Sequence, residues 1–180
     1  IHGYFAHTII YAIVTSIVIT LIGLLSAPYL FELMGSEIEV IQLGLSYTNV
    51  VFTGSIIFIM LVALNSLLHA DGDTRTYRNV LILSFLLNIL LNPLFIFGFG
   101  PIPAFGISGI GIATVVAQSI GLIIVFLKAS KSQRIENISL KGFKLNLKLL
   151  TNLFFQSAPI SAALLLISVG NFIILSYIGI

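Results

Sequence analysis

The chain has no cysteine and very little charge. The first absence excludes disulfides and thiolate metal sites, because both need a cysteine sulfur. The second is more decisive. Only 8% of the 180 residues are charged and 58% are hydrophobic, whereas a soluble domain carries about 25% charged residues. With a mean hydropathy of +1.17, too little polar surface is left to keep the chain in water. It reads as an all-α, polytopic transmembrane helix bundle, with the lipid bilayer as its first partner. The net charge of +2 is too small to point to nucleic acid. The chain opens on Ile1 without a basic cluster, and it closes at Ile180 inside an apolar run. It therefore reads as an internal excerpt of a longer chain.

Five stretches reach the roughly 20 apolar residues that span a bilayer, at roughly 8–33, 42–69, 77–98, 107–128 and from near 149 to the end. None has a charged residue in its middle. Two of the connections lack basic residues altogether. The first holds Glu32, Glu37 and Glu39, and the third, Phe99 to Gly106, is uncharged. Every lysine and arginine falls elsewhere: Arg75 and Arg78 in the second connection, and Lys128, Lys131, Arg134, Lys141, Lys144 and Lys148 in the fourth. The two basic connections are separated by two spans and so share one side, which the positive-inside rule makes cytoplasmic. The expected location is the inner membrane of the cell, with 70–78 and 129–148 cytoplasmic. Lys141, Lys144 and Lys148 lie on one helical face, opposite Leu140, Phe143, Leu147 and Leu150. That spacing fits either a short interfacial helix on lipid headgroups or a solvated linker. The expected division is a four-helix part of one lobe over 1–128, a linker over 129–148, and the first helix of a second lobe over 149–180.

The fourth span carries Gly109, Ala113, Ala117 and Gly121 at four-residue intervals, a ribbon that lets another helix come close. Polar groups inside the spans are neutral: Asn65, Asn88, Asn92, Thr114, Gln118 and Asn171. Asn88 and Asn92 are one turn apart, as are Thr114 and Gln118, and buried amides need partners. The expectation is that they meet across the second, third and fourth spans, as interhelical glue or as the lining of a polar pocket. Pro93 follows Asn92 directly, and Pro159 sits in the last span. Each removes a helical hydrogen bond, so both spans are expected to be interrupted there. His2, His7 and His69 sit near span ends and are expected to be interfacial caps. Asp71, Gly72, Asp73 and Arg75 read as a turn. No span holds a His/Glu set or a serine with a visible base, so no enzyme activity, catalytic residue or resident metal is expected.

Leu68-His-Ala-Asp-Gly-Asp-Thr-Arg-Thr76, Leu87-Asn-Ile-Leu-Leu-Asn-Pro-Leu-Phe-Ile-Phe-Gly98 and Gly106-Ile-Ser-Gly-Ile-Gly-Ile-Ala-Thr-Val-Val-Ala-Gln118 together resemble the multidrug and toxic compound extrusion (MATE) transporters. The likeness covers roughly 5–180 and implies spans three to seven of a two-lobe, twelve-helix protein. It implies a monomeric antiporter that exports cationic or amphipathic organic compounds in exchange for Na⁺ or H⁺, with no other cofactor. The resemblance implies Asn65, Asn88, Asn92 and Thr114 as substrate- or ion-binding residues, and Gln118, one turn from Thr114, joins them in the expected polar pocket. Asn92 stands where proton-coupled prokaryotic members carry an aspartate. An amide does not exchange a proton near neutral pH, which shifts expectation towards Na⁺ held by neutral oxygens or towards a site in the other lobe. A lipid-linked oligosaccharide flippase of the same superfamily is the nearest alternative. A membrane scaffold that transports nothing is another.

Overall fold

The computed structural model describes residues 2–33, 37–131 and 146–178. Among the described residues there are six helices: α1 His2–Leu33, α2 Ile38–Thr53, α3 Ser55–Ala70, α4 Arg75–Phe97, α5 Ile107–Ala129 and α6 Leu147–Ile178. The span expected over 42–69 as one helix is in fact two. α2 and α3 meet at Gly54 with a bend of 43°. The cause is local. Gly54-Ser55 is a glycine–serine pair, a frequent site of sharp kinks. Thr48 and Thr53 return their hydroxyls to the carbonyls of Gly44 and Asn49, a back-bonding that bends helices. Counting α2–α3 as one, five elements among the described residues are long and apolar enough to cross a membrane.

The prolines behave differently from expectation. α1, α4 and α6 run unbroken through Pro28, Pro93 and Pro159. One missing amide donor is tolerated in a long membrane helix when neighbours take up the freed group. The one break in these spans is at a glycine.

α5 is the packing hub, in contact with α2, α3 and α4, while α1 packs on α2, α3 and α6. The small ribbon faces α4. A Cβ at Gly109 would stand 2.5 Å from the Phe95 carbonyl oxygen, and one at Gly121 would stand 2.8 Å from Val80 Cγ1. Ala113 and Ala117 between them are fully buried. The two helices therefore pack closely between Gly109 and Gly121, with backbone against backbone at the Gly109 end. The core continues as Leu61, Leu64 and Leu68 of α3 packed with Val80, Val125 and Ala129. Outward-facing side chains such as Leu25, Phe85 and Leu90 are exposed and apolar, as a lipid-facing surface requires.

The α3–α4 turn closes the bundle at its basic end. Asp73 N–H donates to the Leu68 carbonyl and Gly72 N–H to that of His69. This paired cap needs a left-handed residue at its centre, and Gly72 has φ +80°. Gly72→Ala should lower stability by about 1–2 kcal/mol through backbone strain alone, since nothing lies within 4 Å of the added methyl. A melting curve of the full-length protein measures it. Asp73 then caps α4: its Oδ1 accepts from the N–H groups of Arg75 and Thr76, and its Oδ2 accepts from the Thr76 hydroxyl at 2.6 Å. The Thr76 hydroxyl and then its backbone N–H hold the Asp73 carboxyl below the usual carboxylate range. Lys128 Nζ lies 4.0 Å from the same carboxylate, so the α3–α4 turn and the end of α5 share one end of the bundle.

Candidate functional site

Of the five residues expected to form a polar pocket, the structure joins two. Thr114 Oγ1 donates to Asn88 Oδ1 at 3.2 Å, and to the Ile110 carbonyl at 2.9 Å, while Asn88 Nδ2 donates to the Ser84 carbonyl. This ties α4 to α5 beside the small ribbon. Asn65 Oδ1, Asn92 Oδ1, Gln118 Oε1 and Ser84 Oγ are buried and find no partner among the described residues.

Helix register explains why the amides do not converge. α5 runs antiparallel to α4, with Gly109 beside Phe95 and Gly121 beside Val80 and Ser84. It runs parallel to α2–α3, with Gly111 beside Tyr47 and Val50, Gly54 beside Val115, and Leu61 and Leu64 clustered with Val125. Asn65 is thus level with the last turns of α5, Gln118 is near its middle, and Asn92 is near its start. At 1.5 Å per residue the set is strung over about 20 Å of depth. α5 also stands between α3 and α4.

A second polar site sits at the α2–α3 bend, where the sequence reading had placed nothing. Thr20 of α1 donates to the Phe52 carbonyl at 2.8 Å, and its oxygen lies 2.7 Å from Ser55 Oγ. Ser55 donates to the Ser16 carbonyl at 3.1 Å, and Ser16 Oγ to the Ile13 carbonyl at 2.7 Å. Ser16 and Ser55 are buried. The last carbonyls of a helix lack partners within it, and here α1 reaches across to one of those of α2.

A third feature is a cleft of about 560 Å³ between α1, α3 and α6, within the range of small-molecule sites. Thr8, Tyr11 and Thr15 of α1, Ser66 of α3, and Gln156 and Ser157 of α6 bring polar groups to walls otherwise made by residues such as Phe58, Val62 and Leu153. A hydrogen bond between Tyr11 Oη and Ser157 Oγ, 2.9 Å long, bridges it. The signal was present in the sequence, since Thr8, Tyr11 and Thr15 share one helical face. Hydroxyls are so common in membrane helices that this stripe alone selects nothing.

His7 caps a neighbouring helix. It is buried, and its Nε2 accepts from the backbone N–H of Asn146 at 2.8 Å, while Asn146 Oδ1 accepts from the N–H of Lys148 at the start of α6. The side chain of His2, and the interfacial helix expected around Lys141 and Lys144, lie outside the described residues, as does Arg134.

Comparison with known proteins follows the same outline. A sequence profile of the family described as MatE matches residues 1–94. The probable multidrug resistance protein YoeA of Bacillus subtilis is 25% identical over 96% of this chain and 38% of its own length. The probable multidrug resistance protein NorM of Mannheimia succiniciproducens is 32% identical over 73% of this chain and 29% of its own length. The FAD transporter of Shewanella oneidensis is 33% identical over 52% of this chain and 21% of its own. The chain therefore spans well under half of these relatives. A solved structure described as the inward-facing conformation of a multidrug resistance MATE family transporter of the MOP superfamily matches with a TM-score of 0.81 at 25% identity. That match covers 93% of this chain and 38% of the other.

Proposed function

This chain belongs to the MATE family of multi-pass membrane proteins, and on that footing we propose that it is part of a secondary antiporter. The transporter exports cationic or amphipathic organic compounds in exchange for Na⁺ or H⁺ by alternating access, without covalent chemistry. α1 to α5 belong to the first lobe and α6 opens the second, with the basic end of the bundle cytoplasmic. The observation that carries the reading is the α1–α3–α6 cleft. It is half-open, lies between two groups of helices that share few other contacts, and is mostly apolar with hydroxyl and amide groups set into it. Such walls suit amphipathic organic molecules, whose apolar surface is buried while a few polar groups orient them.

Among the described residues, those that line the cleft include no lysine or arginine. That composition favours a cation or a neutral amphiphile over the anionic headgroup that a flippase would handle. The scaffold alternative would need no cleft. Asn65, Asn88, Asn92, Thr114 and Gln118 act in this reading as polar positions along α3, α4 and α5 that reorganise as the lobes move. Asn92, whose oxygen is buried without a partner among the described residues, is the most exposed to this test. Asn92→Leu should shift stability little, since an amide in a membrane helix contributes about 0.6 kcal/mol on average. Substrate efflux from vesicles containing the full-length protein should fall about tenfold, the equivalent of roughly 1.4 kcal/mol in a transport barrier. Efflux at the wild-type rate would remove Asn92 from the mechanism.

A further inference from the structure

We propose that the groove between α4 and α5 at the basic end of the bundle is a binding site for one anionic phospholipid. The proposal goes beyond the antiport reading and stands or falls without it. The groove is a cavity of about 250 Å³, lined by Thr76, Asn79, Val80 and Leu83 of α4 and by Ile124 and Lys128 of α5. Its composition changes along its length. Thr76, Asn79 and Lys128 lie where α4 begins and α5 finishes, while Val80, Leu83 and Ile124 lie towards the middle of the two helices. From Thr76 to Leu83 is about 10 Å along a helix. A headgroup layer is roughly 5–8 Å deep on each side of the hydrocarbon core. The groove thus turns from polar to apolar over the distance in which a phospholipid does the same.

The polar end is positively charged. Lys128 forms one wall, and Arg78 lies against another, since its Nε and Nη2 donate to Asn79 Oδ1 at 3.4 and 3.2 Å. A guanidinium has five N–H donors, so these two contacts leave it others for a phosphate beside Asn79. Lys128 Nζ is 4.0 Å from Asp73 Oδ2, beyond hydrogen-bond reach. The Asp73 oxygens already accept from Arg75 and Thr76. Asp73 therefore attracts the ammonium without using its protons. Across this end of the bundle Arg75, Arg78, Lys128 and Lys131 outnumber Asp71 and Asp73.

These features select the ligand. A phosphodiester carries one negative charge and forms strong, charge-assisted hydrogen bonds with arginine and lysine. Its acyl chains would follow Leu83, Leu86 and Leu90 along α4, and Ile124 and Ile120 along α5, all of them exposed. A free phosphate has no use for those apolar walls. A zwitterionic lipid would bring its own cationic group into the field of Arg78 and Lys128. Basic pockets between membrane helices are recognised headgroup sites. Occupancy would also brace the bundle. Val80 lines the groove and is the residue that Gly121 packs against, so a lipid here touches both helices beside their tightest contact.

The test uses the full-length protein purified in detergent and follows its melting temperature as phosphatidylglycerol or phosphatidylcholine is added to the micelles. Phosphatidylglycerol should stabilise the wild type in a saturable way, and phosphatidylcholine should not. Lys128→Gln should raise the phosphatidylglycerol fraction for half-maximal effect about fivefold, the share of one basic side chain near an anionic surface. Lys131→Gln removes the same charge at the same end but outside the groove, and should stay within about twofold of wild type. Leu83→Trp keeps every charge, fills the apolar half of the groove, and should abolish the response. If Leu83→Trp fails to fold, Ile124→Phe on the facing wall decides. Equal stabilisation by phosphatidylcholine, or none by phosphatidylglycerol, overturns the proposal. So does an equal loss in Lys131→Gln and Lys128→Gln, the mark of a diffuse surface potential, or an intact response once the groove is filled. Inorganic phosphate at constant ionic strength should do nothing, and stabilisation by it that matches phosphatidylglycerol overturns the lipid assignment. Efflux is no part of this readout. Failure here leaves the antiporter standing, and a protein that exports no tested amphiphile leaves the lipid site standing.

Discussion

Ala113→Leu is expected to prevent the full-length protein from folding into a monodisperse species, the largest stability effect of any single change considered. Ala113 is completely buried, and the ribbon on either side of it leaves no slack. At Gly109 a single added methyl would meet the Phe95 backbone carbonyl at 2.5 Å, and at Gly121 it would meet Val80 at 2.8 Å. α4 cannot accommodate a leucine by a side-chain rotation, because part of what it offers to α5 is backbone. Overpacking costs about 1–3 kcal/mol in ordinary cores and more when the backbone itself must move. Here the displacement would also separate Thr114 from Asn88. In lipid there is no hydrophobic drive to bring the helices back together, so close packing is most of what holds them. Size-exclusion chromatography in detergent and a melting curve report the outcome. Leu90→Ala, on the exposed face of α4, is the control and should leave both unchanged. A well-folded Ala113→Leu protein would mean that the α4–α5 interface is looser than this register requires.

Ser66→Trp should have the largest effect on transport. Ser66 lines the α1–α3–α6 cleft, is solvent- or lipid-exposed, and uses its hydroxyl only on the Val62 carbonyl of its own helix. Stability should therefore survive the change. An indole is among the bulkiest side chains, burying on the order of 200 Å² when packed, and from Ser66 it would project into the cleft of about 560 Å³ and obstruct it. Efflux should fall to the level of empty vesicles while the melting temperature stays within a few degrees, the shift that about 1 kcal/mol produces in a domain of this size. Wild-type efflux from a folded Ser66→Trp protein would exclude the cleft as the route. Paired with Asn92→Leu, the experiment separates obstruction of a pathway from loss of a polar position inside the lobe.

How much was legible in advance differs by kind of feature. The spans were, because roughly 20 consecutive apolar residues have few other uses. The side-by-side placement of the two basic connections was also legible, and the Asp73–Lys128 contact places them at one end of the bundle. The small ribbon pointed to a tight interface, and α4 is the helix that fills it. The prolines misled. A proline marks a lost hydrogen bond, not a bend, and α4 and α6 absorb the loss while α2–α3 breaks at Gly54. Asn88 and Thr114 met as expected, yet Asn65 and Gln118 could not be placed from spacing alone. Depth across neighbouring helices depends on register, and register is set by which small residue meets which backbone.

By itself the sequence determined that this protein lives in a bilayer as helices, which end carries its basic residues, and which face of α5 must pack most tightly. Those properties follow from local composition and helical period, and each can be counted along one segment. Only the tertiary structure decided that Thr20 and Ser55, 35 positions apart, meet beside the Phe52 carbonyl at the α2–α3 bend. Likewise it alone decided that Tyr11 and Ser157, 146 apart, bridge a cleft. Hydroxyls are harmless anywhere along an isolated helix, and they acquire meaning through what crosses them.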